Sequence, residues 1–451
     1  MKPSKYNLGI RCDYLLTMAQ GKSEILTDYF IGIKNSKIET IEKWKPSLKI
    51  NSKKFLHAKK QLVMPGLVNG HTHLAMTLFR GIEDDIPLSH WLFDRILPLE
   101  RRLVDAQFIK LGTELAALEC LRFGTTTICD QYFFAQTAAE VWDRVGLRGI
   151  FAQVFSQYPL PEDAALGKDK EKLFLKLFNQ LKKHPRLTAA LGPHAPYSCD
   201  DKILKSVAEL SKKYQAPVHI HVSETETEVN EHFKNYKVSP TERLYNLNLL
   251  GPNTICAHCV YLNEKDQELF KKTKTSIIHN PDSNFKLASG VAPIPTYLKQ
   301  GLVVGLGTDG CASNNNLNLF GAMNLATKVQ KVFHKNSLAM TASQALKMAT
   351  LESAKALGIE DQVGSLEVGK RADILFIDLE LPHMQPIQDL VSHLVYSATG
   401  MEVHTVICDG KILMKNRKIL TLNESQIYKK VHVYQKKIKT ELDIIKKENP
   451  L

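Results

Sequence analysis

The sequence predicts an α/β protein: a (β/α)8 barrel of the TIM type, flanked by a β-sandwich built from the N- and C-terminal segments. Three observations predict it. Eight short apolar runs (residues 62–68, 125–129, 147–155, 187–191, 217–222, 254–260, 276–279 and 302–306) follow one another, with amphipathic helical stretches between most of them. Before and after this array the chain reads as short strands broken by turn residues. Polar residues able to bind a metal end at least six of the eight runs, all at the end where such a barrel carries its chemistry.

Residues 1–64 show strand character at 10–16, 29–33 and 62–64, with Gly and Asn between them and few helical periods. In the barrel region, residues 105–122 place Phe108, Leu111, Leu115 and Leu118 at helical spacing and stop before Gly124. Residues 170–183 and 201–214 read as similar helices. A longer helix is expected over 341–357, opened by the capping-box pattern Thr341-Ala342-Ser343-Gln344 and closed by Gly358. Strand character returns at 372–377 and 405–414, with Asp409-Gly410 as a hairpin turn. From Glu424 a charged amphipathic helix is expected at the surface. The expected domain bounds are 1–64 and 365–451 for the two parts of the sandwich, the second including the terminal helix, and 65–364 for the barrel.

Composition narrows the function classes. A chain of 451 residues suits one large barrel plus a smaller domain. Its 44% hydrophobic and 24% charged content is that of a soluble globular protein. No apolar run reaches membrane-spanning length and the first residues lack a signal peptide's apolar core, so a cytoplasmic protein with no membrane partner is expected. The net charge of +12 raises nucleic acid as a partner. The basic residues are scattered, however, and densest near the C-terminus (Lys429-Lys430, Lys436-Lys437, Lys446-Lys447). Without a basic stripe interleaved with aromatics, no nucleic-acid partner is expected. Eight cysteines are too few for a disulfide scaffold. Cys256 and Cys259 form a Cys-x-x-Cys inside an apolar run with no second pair, which argues against a zinc ribbon. His258 between them matters more.

The chemistry begins where the first run ends, at Gly66-Leu67-Val68-Asn69-Gly70-His71-Thr72-His73. Side chains two apart on a strand share a face, so His71 and His73 present two imidazoles to one point. Imidazole suits zinc, iron or nickel, and one or two further ligands must come from elsewhere. A lone His-x-His is more often two polar residues opening a loop, but the other run ends answer this one. The fourth ends at Gly192-Pro193-His194, the fifth carries His219, His221 and then Glu224, the sixth His258, the seventh His279, and the eighth leads to Thr308-Asp309. His219 shares a face with His221 but lies one layer deeper, as a core or supporting residue. His279 is left outside the site, and Cys259 and Cys311 read as packing residues at its border.

Pro65 to His73, His221-x-x-Glu224 and Gly307-Thr308-Asp309-Gly310 together resemble the amidohydrolase superfamily. Further pieces bring the likeness closer to the deaminases of 5'-methylthioadenosine and S-adenosylhomocysteine and their triazine-hydrolase relatives. These are Met76-Thr77-Leu78-Phe79-Arg80-Gly81, Trp91-Leu92-Phe93 with Pro98-Leu99-Glu100, Gly192-Pro193-His194-Ala195-Pro196-Tyr197, His279-Asn280-Pro281, Asn284-Phe285-Lys286-Leu287 and Ala312-Ser313-Asn314-Asn315. The resemblance implies one divalent metal held by His71, His73, His221 and Asp309, with zinc the first expectation and iron, nickel and manganese also compatible. It implies Glu224 as proton shuttle, His258 as hydrogen-bond partner of the activated water, and Asp309 as base. Glu100 and His194, with Glu224 and Asp309, would contact the substrate.

Dinuclear relatives need a bridging lysine at the end of the fourth strand, where this chain has Leu191-Gly192-Pro193-His194, so one metal is expected. The implied reaction is hydrolytic deamination of an adenine nucleoside (5'-methylthioadenosine, 5'-deoxyadenosine, adenosine or S-adenosylhomocysteine) to the inosine analogue and ammonia. The alternatives are another heteroaromatic substrate, such as guanine, a pterin or a chlorotriazine, and a barrel scaffold without chemistry. Dimers or tetramers are common in the family it resembles. One departure bears on the substrate. Relatives that accept S-adenosylhomocysteine use arginines on and after the third strand, where this chain has Gln153, Lys168 and Lys170, and no arginine until Arg186. A preference for nucleosides without a carboxylate is therefore expected.

Overall fold

The structure is a computed structural model and describes residues 5–449. Its larger sheet holds eight parallel strands: β1 (Leu67–His73), β2 (Thr125–Gln131), β3 (Arg148–Phe155), β4 (Leu187–Pro193), β5 (Val218–Val222), β6 (Thr254–His258), β7 (Ser276–His279) and β8 (Val304–Leu306). Neighbours in the chain are neighbours in the sheet. After Gly307 and Thr308 the eighth strand resumes as Asp309–Gly310 and pairs with Thr72 and His73 of β1, closing the ring. Asn69 ties the seam: its amide donates to Thr308 Oγ1 at 2.7 Å, and its carbonyl oxygen accepts the Thr308 N–H at 3.0 Å. Gly307 makes the seam possible, since a Cβ there would stand 2.4 Å from Asn280 Oδ1 and 2.9 Å from the His71 backbone nitrogen.

Every residue of β2, β3, β5, β6 and β7 is buried. Strands covered on both faces read as continuous apolar runs, which is why the pattern is legible. The first run, 62–68, is an exception. It straddles the end of a terminal-sheet strand, Ser52–Pro65, and the start of β1. The chain changes sheets at Gly66, whose N–H donates to Asp373 O, while the next N–H, of Leu67, donates to Gly124 O.

The helices Ala106–Arg122, Lys170–Leu181 and Asp201–Tyr214 lie where their periodicity puts them, each opened by an aspartate side chain that accepts backbone N–H groups. The single helix expected over 341–357 is two, Ala342–Met348 and Leu351–Ala356. The Thr341–Gln344 capping box forms as expected. The helix then breaks because the Ala349 carbonyl accepts the Val68 N–H of β1 at 2.9 Å instead of bonding within a helix.

The terminal segments make one eight-stranded sheet, in the order Lys418–Ile419, Lys411–Lys415, Val403–Cys408, Ile374–Asp378, Ser52–Pro65, Tyr6–Leu16, Ile25–Lys34, Lys37–Lys43. Ile374–Asp378 lies antiparallel to Ser52–Pro65, so the two ends of the chain join side by side. Alternation splits its side chains. Leu62, Met64, Leu375 and Ile377 pack into the barrel's core, while Val63, Ile374 and Phe376 join Leu8, Ile10, Ile31 and Ile33 in a separate one. Asp409 and Gly410 both take positive φ, 51° and 75°, as a type I′ hairpin requires. The last helix, Glu424–Glu448, is less superficial than expected. It buries Ile427, Ile438 and Ile445 and pairs its acids with Arg102 and Arg122. Among the described residues no helix is long and apolar enough to cross a membrane.

Candidate metal centre and active-site cavity

The strand ends bring His71, His73, His221, His258 and Asp309 together. The ligating atoms of His71, His73 and His221 lie within 4.8 Å of one another, as do those of His71, His258 and Asp309. Nε2 of His71 and Nε2 of His73 each stand 3.2 Å from Asp309 Oδ1, and Nε2 of His73 and of His221 are 3.3 Å apart.

The outer nitrogens decide what the inner ones can do. His73 Nδ1 faces the Gln131 carbonyl at 2.5 Å and His221 Nδ1 the His194 carbonyl at 2.6 Å. A carbonyl only accepts, so both Nδ1 atoms carry the proton, and in the neutral rings both Nε2 lone pairs point inward. Lone pairs and a carboxylate oxygen this close repel one another unless a cation lies among them. His71 Nε2 is buried beside Asp309 Oδ1, while its Nδ1 is taken by His219. Three imidazoles and one carboxylate suit a single divalent ion. Burial raises the Asp309 carboxyl, but hydrogen bonds with His71 and His73 outweigh it and hold that group well below the carboxylate range. Burial lowers His73, yet Asp309 keeps it above its ordinary value.

His219 stands behind this cluster. Its Nε2 lies 2.6 Å from His71 Nδ1, and its Nδ1 3.6 Å from Cys129 Sγ, so it supports the ring of His71 from the core. His279 is buried with neither ring nitrogen partnered, apart from the ligating atoms. All eight cysteines are free and buried, Cys259 and Cys311 among them.

Two side chains can exchange protons over the cluster. Glu224 Oε2 is 3.7 Å from His258 Nε2, and its Oε1 accepts from Ser289 Oγ at 3.4 Å. Burial raises its carboxyl above the ordinary value. His258 is oriented by Asn284, whose Oδ1 accepts from Nδ1 at 2.8 Å, which leaves Nε2 facing Glu224 and, at 4.0 Å, Asp309 Oδ2. His258 (φ 71°), Asp309 (φ 62°) and Ser223 (φ 52°) all adopt the left-handed backbone region, a strain that clusters at functional sites.

These groups floor a cavity of about 410 Å³. His73, Glu100, His194, His221, Glu224, His258 and Asp309 all line it, and His71 is buried beneath. Glu100 accepts from Tyr132 OH at 2.6 Å, and burial pushes its carboxyl up to about 7 despite that bond. His194 Nδ1 lies 2.8 Å from Ser198 Oγ, and burial lowers its ring to about 4. The walls are mostly apolar and come chiefly from the segment 88–101 and the loop after β3.

Three residues change the picture drawn from sequence. Trp91 lines the cavity with its indole N–H buried and, among the described residues, unpartnered, a donor that the apolar Trp91-Leu92-Phe93 motif does not single out. Arg101, exposed and next in sequence to Glu100, is the only lysine or arginine that lines the cavity among the described residues, and no pattern in the sequence marks it. Gln153 turns away: its amide donates to Glu162 Oε1 at 2.6 Å, and the same oxygen takes Lys170 Nζ at 3.1 Å. Lys170 is thereby spent on a buried carboxylate, and Lys168 is exposed.

Residues 62–413 match the model of the amidohydrolase family. A 5-methylthioadenosine/S-adenosylhomocysteine deaminase of Caldanaerobacter subterraneus subsp. tengcongensis is 40% identical over 427 residues, covering 94% of this chain and 97% of that protein. A 5'-deoxyadenosine deaminase of Methanobrevibacter smithii is 40% identical over 383 residues, 84% of this chain and 87% of its own. The crystal structure of an adenosine deaminase from Xanthomonas campestris with bound zinc superposes with a TM-score of 0.94 at 32% identity, covering 97% of this chain and all of that one. With a match that spans most of its length, and with its histidines and aspartate gathered at the closing seam of the barrel, the chain belongs to the amidohydrolase family.

Proposed function

We propose that this protein is a metal-dependent deaminase that hydrolyses the exocyclic amine of an adenine nucleoside, releasing ammonia and the inosine analogue. The observation that carries the reading is the inward-facing set of Nε2 lone pairs beside Asp309, fixed by carbonyls behind two of the rings. His71, His73, His221 and Asp309 would hold one divalent ion, zinc by preference. Such an ion supplies water of pKa about 7 in place of 15.7, a nucleophile at neutral pH.

The remaining work falls to side chains of this chain. Asp309, at the cluster's edge, accepts the proton that the attacking water gives up. Glu224, whose carboxyl burial raises above its ordinary value, delivers a proton to the ring nitrogen and then to departing ammonia. His258 orients the attack through the Nε2 that Asn284 leaves free. Glu100 and His194 meet the base from the cavity wall, and residues 65–364 form the catalytic barrel. Relatives named as deaminases of adenine nucleosides support the substrate class.

Within that class the expected preference is for a 5' group without a carboxylate. The walls are mostly apolar, Gln153 and Lys170 are engaged with Glu162, and Arg101, the one lining cation among the described residues, is solvated at the surface, where an ion pair contributes little. The test is kcat/KM for 5'-methylthioadenosine, 5'-deoxyadenosine, adenosine and S-adenosylhomocysteine at equal metal loading. Ammonia release from the first three supports the reading, with S-adenosylhomocysteine slower. No ammonia from any of them, with chloride release from a chlorotriazine, would overturn it.

A further inference from the structure

Glu228 is a carboxylate outside the proton-transfer pair, and its bonds are unusual. The helix Glu226–Tyr236 starts at Thr225, whose hydroxyl accepts the Glu228 N–H at 3.1 Å. In an ordinary capping box the carboxylate at this position reaches back to the N–H of the capping residue itself. Here it reaches further. Oε1 accepts the N–H of Ser223 at 3.2 Å and Oε2 the N–H of Glu224 at 2.8 Å.

Ser223 and Glu224 form the turn that follows β5, two residues beyond His221. Ser223 is left-handed, at φ 52°, a conformation that a serine does not hold unaided. Its carbonyl is gripped from the other side by the N–H groups of Val260 and Tyr261, at 3.0 and 3.1 Å. The Glu228 carboxylate is thus one half of a clamp across this turn, and two consecutive N–H groups make a good seat for its two oxygens. Burial, and after it the neighbouring Glu224 charge, push the Glu228 carboxyl up to about 7.

We propose that Glu228 is a positioning residue: by accepting the N–H groups of Ser223 and Glu224 it holds the left-handed turn that aims the Glu224 carboxylate into the cavity. The inference rests on Glu224 as the proton shuttle. It is tested with Glu228→Gln, Glu228→Ala and the control Thr225→Ala, measured for kcat, KM, bound metal and Tm, and with crystal structures of the wild type and Glu228→Ala. Misplacing a reacting group by about 1 Å can cost about a hundredfold in rate. Glu228→Ala is accordingly expected to lose about a hundredfold in kcat and Glu228→Gln, which keeps one accepting oxygen, about tenfold. KM and metal content should stay near those of the wild type.

In a Glu224→Gln background the Glu228→Ala loss should almost vanish, because both act on one proton transfer. Thr225→Ala should lower Tm and leave kcat near that of the wild type. In the Glu228→Ala crystal, Ser223 should leave positive φ and the Glu224 carboxylate should leave its place beside His258. An unmoved Glu224, a near-normal kcat in Glu228→Ala, or a full additional loss in the Glu224→Gln background would overturn the proposal. If Glu228→Ala does not fold, the kcat and KM of Glu228→Gln decide it. Should the wild type deaminate no adenine nucleoside, the functional reading fails, and the two crystal structures still decide the role of Glu228.

Discussion

The floor and the wall of the cavity are built by different rules. On the floor, the polar groups are fixed from behind: His73 by Gln131, His221 by His194, His71 by His219, His258 by Asn284, Asp309 by Ser313. With the Nδ1 protons of His73 and His221 turned outward, the neutral rings present Nε2 lone pairs beside a carboxylate, an arrangement that suits a cation. The wall of residues 88–101 and the loop after β3 is mostly apolar, with Trp91 Nε1 as a buried donor that has no partner among the described residues. An over-determined floor suits one chemical step. An apolar wall with a few polar points suits selection by shape, and it can be altered without disturbing the step.

That contrast can be broken at the floor first. His71→Ala, Asp309→Ala or the double variant His71→Ala/His221→Ala should lose both bound metal and turnover. Elemental analysis of purified protein checks this, and a full equivalent of metal in the double variant would be incompatible with the assigned ligands. Next in size is Glu224→Gln, which keeps the shape of the side chain but cannot shuttle a proton. Its kcat should fall by about 10²- to 10⁴-fold with metal retained. Near-normal kcat would mean that another group carries the proton.

Changes at the wall should be smaller and fall on substrate recognition. The missing charge-assisted contact to a carboxylate is worth roughly 1.5–3 kcal/mol, so kcat/KM for S-adenosylhomocysteine should lie about ten- to a hundredfold below that for 5'-methylthioadenosine. Equal values, lost on Arg101→Ala, would show that the exposed arginine has taken over. Trp91→Phe, which removes one neutral donor and keeps the ring, should raise KM by about two- to tenfold with kcat little changed.

The smallest effect is on stability. Burial raises Glu100 to about 7 from its ordinary 4.5, so its contribution is fully present below pH 4.5 and is lost as pH rises through about 7. Glu100→Gln removes that titration. In chelator-treated protein its Tm should gain on the wild type between pH 5 and pH 8, by about 2 °C or more. A constant difference across that range would contradict the raised value.

What the sequence showed and what it hid divide along the same physical line. The barrel was legible because strands covered on both faces must be apolar throughout. The meeting of His71 with His73 was legible because strand parity is strict. The break in 341–357 was not, because it depends on the Ala349 carbonyl bonding to Val68, more than 280 residues earlier, and no local pattern encodes such a contact. Gly66 hid the change of sheet inside one apolar run for the same reason. Within the cavity, Arg101 carries no signal, since an arginine on a helix is usually a solvated side chain. Gln153 could be aligned with an arginine position from sequence, but its turn toward Glu162 could not be read there.

The central claim is that the floor is built for one cation. It is tested most directly by stripping the protein with a chelator, titrating zinc back and following both bound metal and ammonia release from 5'-methylthioadenosine. Activity should be absent at the start, rise in proportion to bound zinc and stop rising at one equivalent. Full turnover by the stripped protein, or a rise that continues to two equivalents, would contradict it.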